Sequence, residues 1–206
     1  MGTRERRKRE ADTRKKEIME AAQRLFWKNG YAGTSIPQIA KEAELAPGTI
    51  YLYFPSKEAL YVELLMEGYQ ILHERLTVEA HRRVQPEEQA ARLLDVFLDF
   101  AQEYPEYYEI IFFLVQRERN GGWEGHFPLD AITRVRAHET ACKALASDIL
   151  ERAGFSGPEL RADTLAAVWS MLSGVIFHFG SDPAGWRVAA RAKEMILAAI
   201  FSKRPS

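Results

Sequence analysis

Cysteine is nearly absent from this sequence of 206 residues, in which Cys142 is the single example. One cysteine excludes an intrachain disulfide and a cysteine-rich zinc site. The signatures Gly-x-Ser-x-Gly, His-Glu-x-x-His and Gly-x-Gly-x-x-Gly are also missing, and each carries the chemistry of a large enzyme class. His138 lies four residues before Cys142, but two ligands without a third nearby do not make a zinc site. We therefore predict no enzyme, no metal and no cofactor.

Long apolar runs are also lacking. The longest largely apolar stretch, 165–179, contains Ser170, Ser173 and His178 and is shorter than the about 20 residues that a membrane-spanning helix needs. The N-terminus is too highly charged for a secretory signal. These features predict a soluble, cytoplasmic protein with no membrane partner.

Basic side chains are not in excess overall. The sequence has 28 lysines and arginines and 29 acidic residues, which gives a net charge of −1. The positive charge is instead concentrated near the N-terminus, in Arg4, Arg6, Arg7, Lys8, Arg9, Arg14, Lys15 and Lys16. Such a cluster is typical of a surface that neutralises phosphates, although a solvated tail has the same composition. We expect residues 1–12 to be a disordered arm that orders on DNA, followed by a helix from about Asp12 or Thr13 to Lys28.

Residues 34–58 have the pattern of two short helices joined by a tight turn. Pro37 suits a first helical turn that starts near Ile36, and Pro47 suits the start of a second helix. In the second helix, Ile50 and Phe54 are four residues apart and therefore share the inward face. We predict that Ser56 caps a third helix. This is the layout of a helix-turn-helix DNA reader.

Several motifs make residues 18–65 resemble the TetR/AcrR family of transcriptional regulators. They are the helix 18–26, Asn29-Gly30-Tyr31, Gly-Thr-Ile-Tyr-Leu-Tyr-Phe at 48–54 and Ser56-Lys57-Glu58. One departure is Pro47, where many members carry a polar or charged residue, so one base-reading side chain is missing. The resemblance implies an N-terminal three-helix DNA-binding domain followed by a helical domain for ligand binding and dimerisation.

The predicted DNA-binding side chains point away from the buried face of the two short helices. A glycine allows close approach, hydroxyls and tyrosines can reach phosphates, and a lysine at a helix N-terminus favours an anion. The set consists of Thr34, Ser35, Pro47, Gly48, Thr49, Tyr51, Tyr53 and Lys57.

The remainder of the chain has helical periodicity throughout, which predicts an all-α protein of about nine helices. The predicted division is 1–58 for the basic arm and helix-turn-helix domain and 59–206 for the ligand-binding and dimerisation domain. A helix that runs from residue 56 to about 80 crosses this boundary and can act as a lever between the two. Further helices are expected at 86–104, 106–117, 129–153, 158–180 and 184–201, with a glycine-rich loop at 120–125.

Aromatic and aliphatic side chains are unusually dense in the second domain, which predicts a cavity for a small hydrophobic or aromatic effector such as a long acyl chain. The predicted lining comprises Phe97, Phe100, Tyr104, Tyr108, Ile111, Phe112, Val115, Trp123, His138, Cys142, Trp169, Leu172 and Phe177. Arg117, Arg119 and Arg134 are candidates for an anionic head group, such as the phosphate of an acyl-CoA.

Small residues alternate with large ones in the last two helices, which favours close helix packing and predicts a homodimer through residues 159–202. Two copies of a helix-turn-helix read two half-sites about 34–36 Å apart. We expect a repressor that binds a palindromic operator as a homodimer and is released by its effector. The alternative is a DNA-binding interaction or chromosome-organising protein without a small-molecule ligand.

Overall fold

The computed structural model describes residues 3–119, 129–180, 182 and 184–202, of which Thr3, 113–119 and Leu129 are described by backbone alone. Within that part, all regular structure is α-helical. The helices are α1 (Thr3–Asn29), α2 (Ile36–Glu42), α3 (Pro47–Tyr53), α4 (Lys57–Ala80), α5 (Pro86–Glu103), α6 (Pro105–Arg119), α7 (Leu129–Arg152), α8 (Pro158–Phe179) and α9 (Gly185–Phe201). The all-α class is confirmed.

The first helix is longer than predicted, because residues 3–12 are helical and not a disordered arm. This segment has no apolar face, so periodicity did not reveal it. Ion pairs spaced along the helix stabilise it instead: Arg6 pairs with Glu10 at 3.3 Å and Arg14 pairs with Glu17 at 2.7 Å. Pairs at these spacings each contribute about 0.2–0.5 kcal/mol to an exposed helix.

The turn between α2 and α3 begins with a closed C-cap. The amide of Glu44 donates to the carbonyl of Lys41 at 3.2 Å, and that of Leu45 donates to Ala40 at 2.8 Å. Both bonds belong to the Schellman motif, in which the residue after the cap adopts a left-handed conformation. Here that residue is Glu44, with φ at 56°, and not the usual glycine.

Replacing Glu44 by glycine is expected to stabilise the protein. A left-handed conformation costs a residue with a side chain about 1–2 kcal/mol, whereas glycine adds about 0.4–1 kcal/mol of unfolded-state entropy. We expect Glu44→Gly to raise the free energy of unfolding by about 0.5–1 kcal/mol, measured by urea denaturation. Glu44→Ala keeps the backbone penalty and should not gain stability; an equal gain from alanine would show that strain at Glu44 is not the cause.

Both ends of α4 are capped by side chains. The hydroxyl of Ser56 accepts a hydrogen bond from the amide of Ala59 at 3.2 Å, which confirms the predicted cap. At the other end, the buried amide Nε2 of Gln89 on α5 donates to the carbonyls of Glu79 and Arg82 at 3.1 and 3.0 Å and also contacts that of Ala80. Arg152 on α7 donates to the amide oxygen of the same glutamine.

Two compact units divide the described residues. The first comprises 3–67, 117–119 and 129–135, and the second comprises 68–116, 136–180, 182 and 184–202. The first unit has its core around Ile18, Ile39, Ile50 and Leu60, all fully buried. This unit includes the first part of α4 and the first part of α7.

The core of the second unit is built from α4 to α9. Phe100, Ile111, Ile149 and Leu172 are its largest fully buried apolar side chains. Here α8 and α9 pack along each other, and α9 also packs on α5.

In contrast to the predicted short apolar stretch, α8 has 22 residues and a mean hydropathy of 1.3 in its most apolar window, so by length and composition it could cross a membrane. Leu172, Ser173 and Ile176 of this helix are nevertheless buried in the second unit. One helix of this kind also occurs in cores and interfaces of soluble proteins and does not define a membrane protein.

Candidate nucleic-acid interface

The exposed surface of α3 is small and partly apolar. Ile50 and Phe54 face the core as predicted, whereas Tyr51 is 54% exposed and Leu52 is 82% exposed. At Gly48, a side chain would meet no protein atom within 4 Å. Leu52 was not in the predicted set, although its spacing of four from Gly48 places it on the same side of the helix.

The other predicted DNA-binding residues around α3 differ in exposure. Ser35 and Pro47 are exposed, and Thr49 and Tyr53 are partly exposed. The side chain of Gln38 accepts hydrogen bonds from the backbone N–H of Ser35 at 2.8 Å and from its hydroxyl at 2.7 Å. The Ser35 hydroxyl therefore has a partner within the protein before any phosphate is bound.

The prediction that Thr34 points outward is wrong. This side chain is buried, and its hydroxyl donates to the carbonyls of Gly30 at 2.8 Å and Leu25 at 3.1 Å. A buried hydroxyl needs such partners, since leaving it unpaired costs about 1–3 kcal/mol. Thr34 thus fixes the end of α1 against the segment that leads into α2.

Lys57 is also held by hydrogen bonds within the protein, which a side chain reserved for binding phosphate would not make. Its Nζ donates to the carbonyls of Tyr31 at 2.9 Å and Thr34 at 3.0 Å, and it lies 4.1 Å from the centroid of the Tyr31 ring. An ammonium group has three donors, so one remains for an anion. Its first role in the structure is to attach α4 to the 30–35 segment.

An aromatic cluster lies beneath this attachment. The Tyr31 and Tyr61 ring centroids are 4.8 Å apart, and Phe26 lies 5.9 Å from Tyr31 and 5.3 Å from Tyr61. The Tyr31 hydroxyl donates to the carboxylate of Glu58. These contacts connect α1, the 30–35 segment and α4.

The carboxyl of Glu58 has a pKa below its ordinary value of 4.5. Burial alone would raise the pKa of Glu58, but hydrogen bonds from Tyr31, its own backbone N–H and Ser56, with the charge of Lys57, outweigh that effect. A pKa lowered by folding adds stability above the unfolded-state pKa, and this stability is lost as the pH falls through the folded-state pKa.

Acid is therefore expected to weaken the first unit in part through Glu58. Between pH 5 and pH 3, the free energy of unfolding of Glu58→Gln should fall less steeply than that of the unmodified protein, because the variant has no carboxylate to protonate at this position. Urea denaturation at each pH measures both slopes. Glu20→Gln, at an exposed position of α1, is the control; the assignment fails if the two variants have the same slope.

Basic side chains of α1 lie on an exposed surface, and in the described part of the chain at least four of the predicted basic group have carboxylate partners. Besides Arg6 and Arg14, Lys16 lies 3.7 Å from Glu20, and Lys15 lies 3.8 Å from Glu63. Exposed pairs are worth about 0–1 kcal/mol. A polyanion can therefore displace these carboxylates at low energetic cost.

The structure brings part of the predicted ligand-binding set together within the second unit. Ring contacts connect Phe97 with Trp169 and Tyr108, then Tyr108 with Phe112, and Phe112 with Phe177, at centroid distances from 5.1 to 6.1 Å. We call these five residues the aromatic row. Ile111 and Leu172 are buried in the same unit.

Other members of the predicted ligand-binding set have ring contacts with residues outside the aromatic row. Phe100 stacks on Tyr104, which Arg75 approaches with a hydrogen bond of 3.2 Å. His138 stacks on Tyr69 at 6.5 Å.

Three predicted lining residues remain. Burial, and then the charge of Glu139, raises the pKa of Cys142 to about 12, which keeps the thiol protonated. In the described part of the chain no group of three or more His, Cys, Asp or Glu residues could hold a metal ion. The side chain of Val115, all of Trp123 and the 120–125 loop lie outside the described residues.

The first unit, with α2 and α3 joined by a tight turn and α3 exposed, defines a helix-turn-helix protein of the all-α class. Residues 18–64 match the family model described as bacterial regulatory proteins, tetR family. This N-terminal segment is therefore similar to the DNA-binding part of tetR-family regulators.

Known proteins are similar to the chain in sequence over part of its length and in fold over nearly all of it. The Fatty acid metabolism regulator protein of Bacillus subtilis (strain 168) is 33% identical over 78 residues, which are 38% of this chain and 40% of that protein. The curated relatives that head the comparison are matched over 19% to 50% of their own length. Their similarity therefore covers half of each protein at most.

Solved structures extend the likeness to the fold of nearly the whole chain. The TetR family transcriptional regulator PfmR from Thermus thermophilus has a TM-score of 0.67 at 22% identity, covering 87% of this chain and 96% of that one. The transcriptional regulator FadR from Bacillus subtilis in complex with stearoyl-CoA has a TM-score of 0.67 at 18% identity, covering 88% and 97%. At these identities the likeness establishes the fold alone.

Proposed function

We propose that this protein is a ligand-responsive transcriptional regulator, a repressor that binds a palindromic operator as a homodimer and is released by an apolar or aromatic small molecule. The observation that carries the proposal is the tetR-family match over residues 18–64 together with the exposure of Gly48, Tyr51 and Leu52 on α3. A regulator of this kind works in the cytoplasm, where the DNA is.

The DNA face is suited to close approach more than to base-specific hydrogen bonds. The α3 surface offers the hydroxyl of Tyr51, the methyl groups of Leu52 and the bare backbone at Gly48. It has no arginine, asparagine or glutamine for a bidentate contact with a base. Direct readout by one copy is therefore modest, and phosphate contacts together with the spacing of two copies supply most of the affinity.

A second copy of the chain is proposed to cover the outer surface of α8 and α9. Met171, Phe179, Val188 and Met195 are large apolar side chains that lie between 41% and 63% exposed there. Phe179, Val188 and Met195 also line a groove on this surface. A patch of this kind on a soluble protein marks an interface, and an isologous pairing of the two helices from each copy makes a four-helix contact.

Sedimentation equilibrium at micromolar concentration tests the dimer. The unmodified protein should sediment as a dimer, and Met195→Glu should shift it toward monomer because charges in the middle of an apolar interface cannot be desolvated. Gln102→Glu, at an exposed position on α5, is the control. A monomer in the unmodified protein, or no effect of Met195→Glu, would contradict this interface.

The effector is proposed to bind in the second unit, beside the aromatic row and the rest of the predicted lining. Support comes from the chemistry of those side chains and from two similar proteins, a regulator named for fatty acid metabolism and FadR, which was solved with stearoyl-CoA. An acyl-CoA or a fatty acid is accordingly the first class to test. Release of DNA requires that the effector bind more tightly to the arrangement that does not fit the operator.

Selection of bound fragments from a random DNA pool, followed by binding titrations with and without stearoyl-CoA, tests the function. We expect enrichment of a palindrome and weaker binding to it when stearoyl-CoA is present. No enriched sequence would refute the proposal. An enriched sequence with no response to acyl-CoA, fatty acid or aromatic compounds would favour a DNA-binding interaction protein without a ligand.

Tyr51→Ala tests the DNA face separately. Truncation of this exposed side chain should weaken operator binding about tenfold, the effect of losing one charge-assisted contact to a phosphate. Its unfolding curve should remain that of the unmodified protein because Tyr51 is exposed. Unchanged operator affinity would remove Tyr51 from the interface.

A further inference from the structure

Three residues of α8 form a stripe with one polar member. Trp169, Ser173 and Phe177 are spaced by four and lie along the same side of the helix. The outer two meet aromatic partners from other helices: Trp169 contacts Phe97 of α5 at 5.1 Å, and Phe177 contacts Phe112 of α6 at 5.7 Å. Ser173 lies between these two aromatic contacts.

Tyr108 of α6 lies opposite that serine. The centroid of its ring lies 5.9 Å from that of Phe97 and 6.1 Å from that of Phe112. These two phenylalanines are the partners of Trp169 and Phe177, so Tyr108 connects the two contacts. The hydroxyls of Tyr108 and Ser173 approach each other closely enough for Ser173 to affect the pKa of Tyr108. We call them the hydroxyl pair.

The hydroxyl pair is buried, and among the described residues it makes no hydrogen bond of good geometry. Tyr108 is 5% exposed and Ser173 is 1% exposed. Within the described part of the chain, neither hydroxyl oxygen has a hydrogen-bond partner at a suitable distance and angle, although the two hydroxyls are near enough for Ser173 to lower the pKa of Tyr108. Serine in a helix usually bonds to the carbonyl four residues earlier or points to solvent, and here it does neither. Each unpaired hydroxyl costs stability, about as much as a lost hydrogen bond.

The chemistry of the pair is that of two neutral donors. Burial raises the pKa of Tyr108 to about 12, against a smaller opposing effect of the Ser173 hydroxyl, so the phenol stays protonated at neutral pH. A serine hydroxyl can donate as well as accept. The aromatic side chains around the pair carry no charge that could compensate a buried carboxylate.

We propose that the Tyr108 and Ser173 hydroxyls bind the neutral carbonyl oxygen of an otherwise apolar effector, an ester, thioester or ketone and not a free carboxylate. A carbonyl oxygen has two lone pairs and accepts from both donors, while the aromatic row contacts the apolar part of the effector. This assignment rests on the proposed function, because it names the effector class of that regulator.

Stability of the ligand-free protein gives the first test. If the pair is unsatisfied before the effector binds, Tyr108→Phe and Ser173→Ala should each raise the melting temperature by about 2–4 °C, because each removes an unpaired buried hydroxyl. Ser170→Ala, at an exposed position of α8, is the control and should leave it unchanged. Lower melting temperatures in both variants would overturn the inference, since the hydroxyls would then be satisfied by one another or by a trapped water.

Calorimetric titration with matched ligands gives the second test. Methyl decanoate, decanoate and 1-methoxydecane share a chain length and differ in the polar group. The unmodified protein should bind methyl decanoate at least about tenfold more tightly than the other two, and either variant should weaken methyl decanoate binding about tenfold. Binding of 1-methoxydecane should change little in the variants.

Other outcomes separate this inference from the function on which it rests. Equal binding of methyl decanoate by both variants and the unmodified protein, preference for decanoate, or no binding of the ester overturns the carbonyl site. If the unmodified protein still selects an operator and releases it with another ligand, the proposed function stands. Failure to select any operator refutes the function, whereas the titrations continue to test the hydroxyl pair.

Discussion

Lys57→Met is expected to destabilise the first unit by about 2–4 kcal/mol and to abolish operator binding at temperatures where the unmodified protein is folded. The substitution removes two hydrogen bonds from an ammonium group to the Tyr31 and Thr34 carbonyls and its contact with the Tyr31 ring. Hydrogen bonds to charged groups are worth about 1.5–3 kcal/mol each and a cation–π contact about 0.5–2 kcal/mol. Partial exposure of Lys57 reduces the sum.

Urea denaturation followed by circular dichroism measures this loss, and operator binding is then titrated well below the transition. Lys28→Met, at an exposed position at the end of α1, is the matched control and should change stability by less than about 0.5 kcal/mol. If Lys57→Met proves as stable as this control and only its DNA affinity falls, Lys57 is a phosphate ligand and not a structural attachment.

Gly48→Leu should affect DNA binding and not stability. We expect the free energy of unfolding to be unchanged or increased. Operator affinity should fall about 100-fold, or about 2.7 kcal/mol. A side chain at this position meets no protein atom within 4 Å, and leucine favours a helix over glycine by up to about 1 kcal/mol. The fold therefore gives no reason for a glycine here. Close approach of this surface to another backbone is a reason for glycine, because glycine has no side chain to prevent it.

A binding titration on the selected operator, paired with urea denaturation, measures both quantities. Gln102→Leu adds the same side chain at an exposed position of α5 and should leave DNA affinity unchanged. Gly48→Ala should lie between the unmodified protein and Gly48→Leu in affinity, because the effect depends on side-chain volume. Full affinity in Gly48→Leu would mean that α3 does not approach DNA at this residue.

Local chemistry explains which elements could be predicted from the sequence. Pro37 and Pro47 mark the starts of α2 and α3, and Ser56 caps α4, because each effect acts within one helical turn. The long helices follow apolar periodicity for the same reason. Residues 3–12 have neither signal, and their helix is stabilised by ion pairs such as that of Arg6 with Glu10, which charge composition alone does not distinguish from a disordered arm.

The candidate site depends on contacts between residues distant in sequence, and here prediction failed in part. The buried Thr34 hydroxyl donates to the Leu25 carbonyl at 3.1 Å, and Lys57 donates to carbonyls 23 and 26 residues earlier. The sequence offered no signal for either. Leu52 could have been found, because its spacing from Gly48 follows from helix geometry, but an apolar residue is ordinarily assigned to the core.

The caps at the two ends of α4 have a consequence for its local opening. Helices commonly fray from their ends, where amides exchange with solvent most readily. Ser56 holds the first turn of α4, and Gln89 holds the carbonyls of the last. The middle contains Gly68, whose backbone lies against Tyr107 so closely that an added Cβ would be 2.9 Å from the ring. With both ends capped and the centre packed, α4 is therefore expected to resist local opening along its length, so that its amides exchange slowly with solvent.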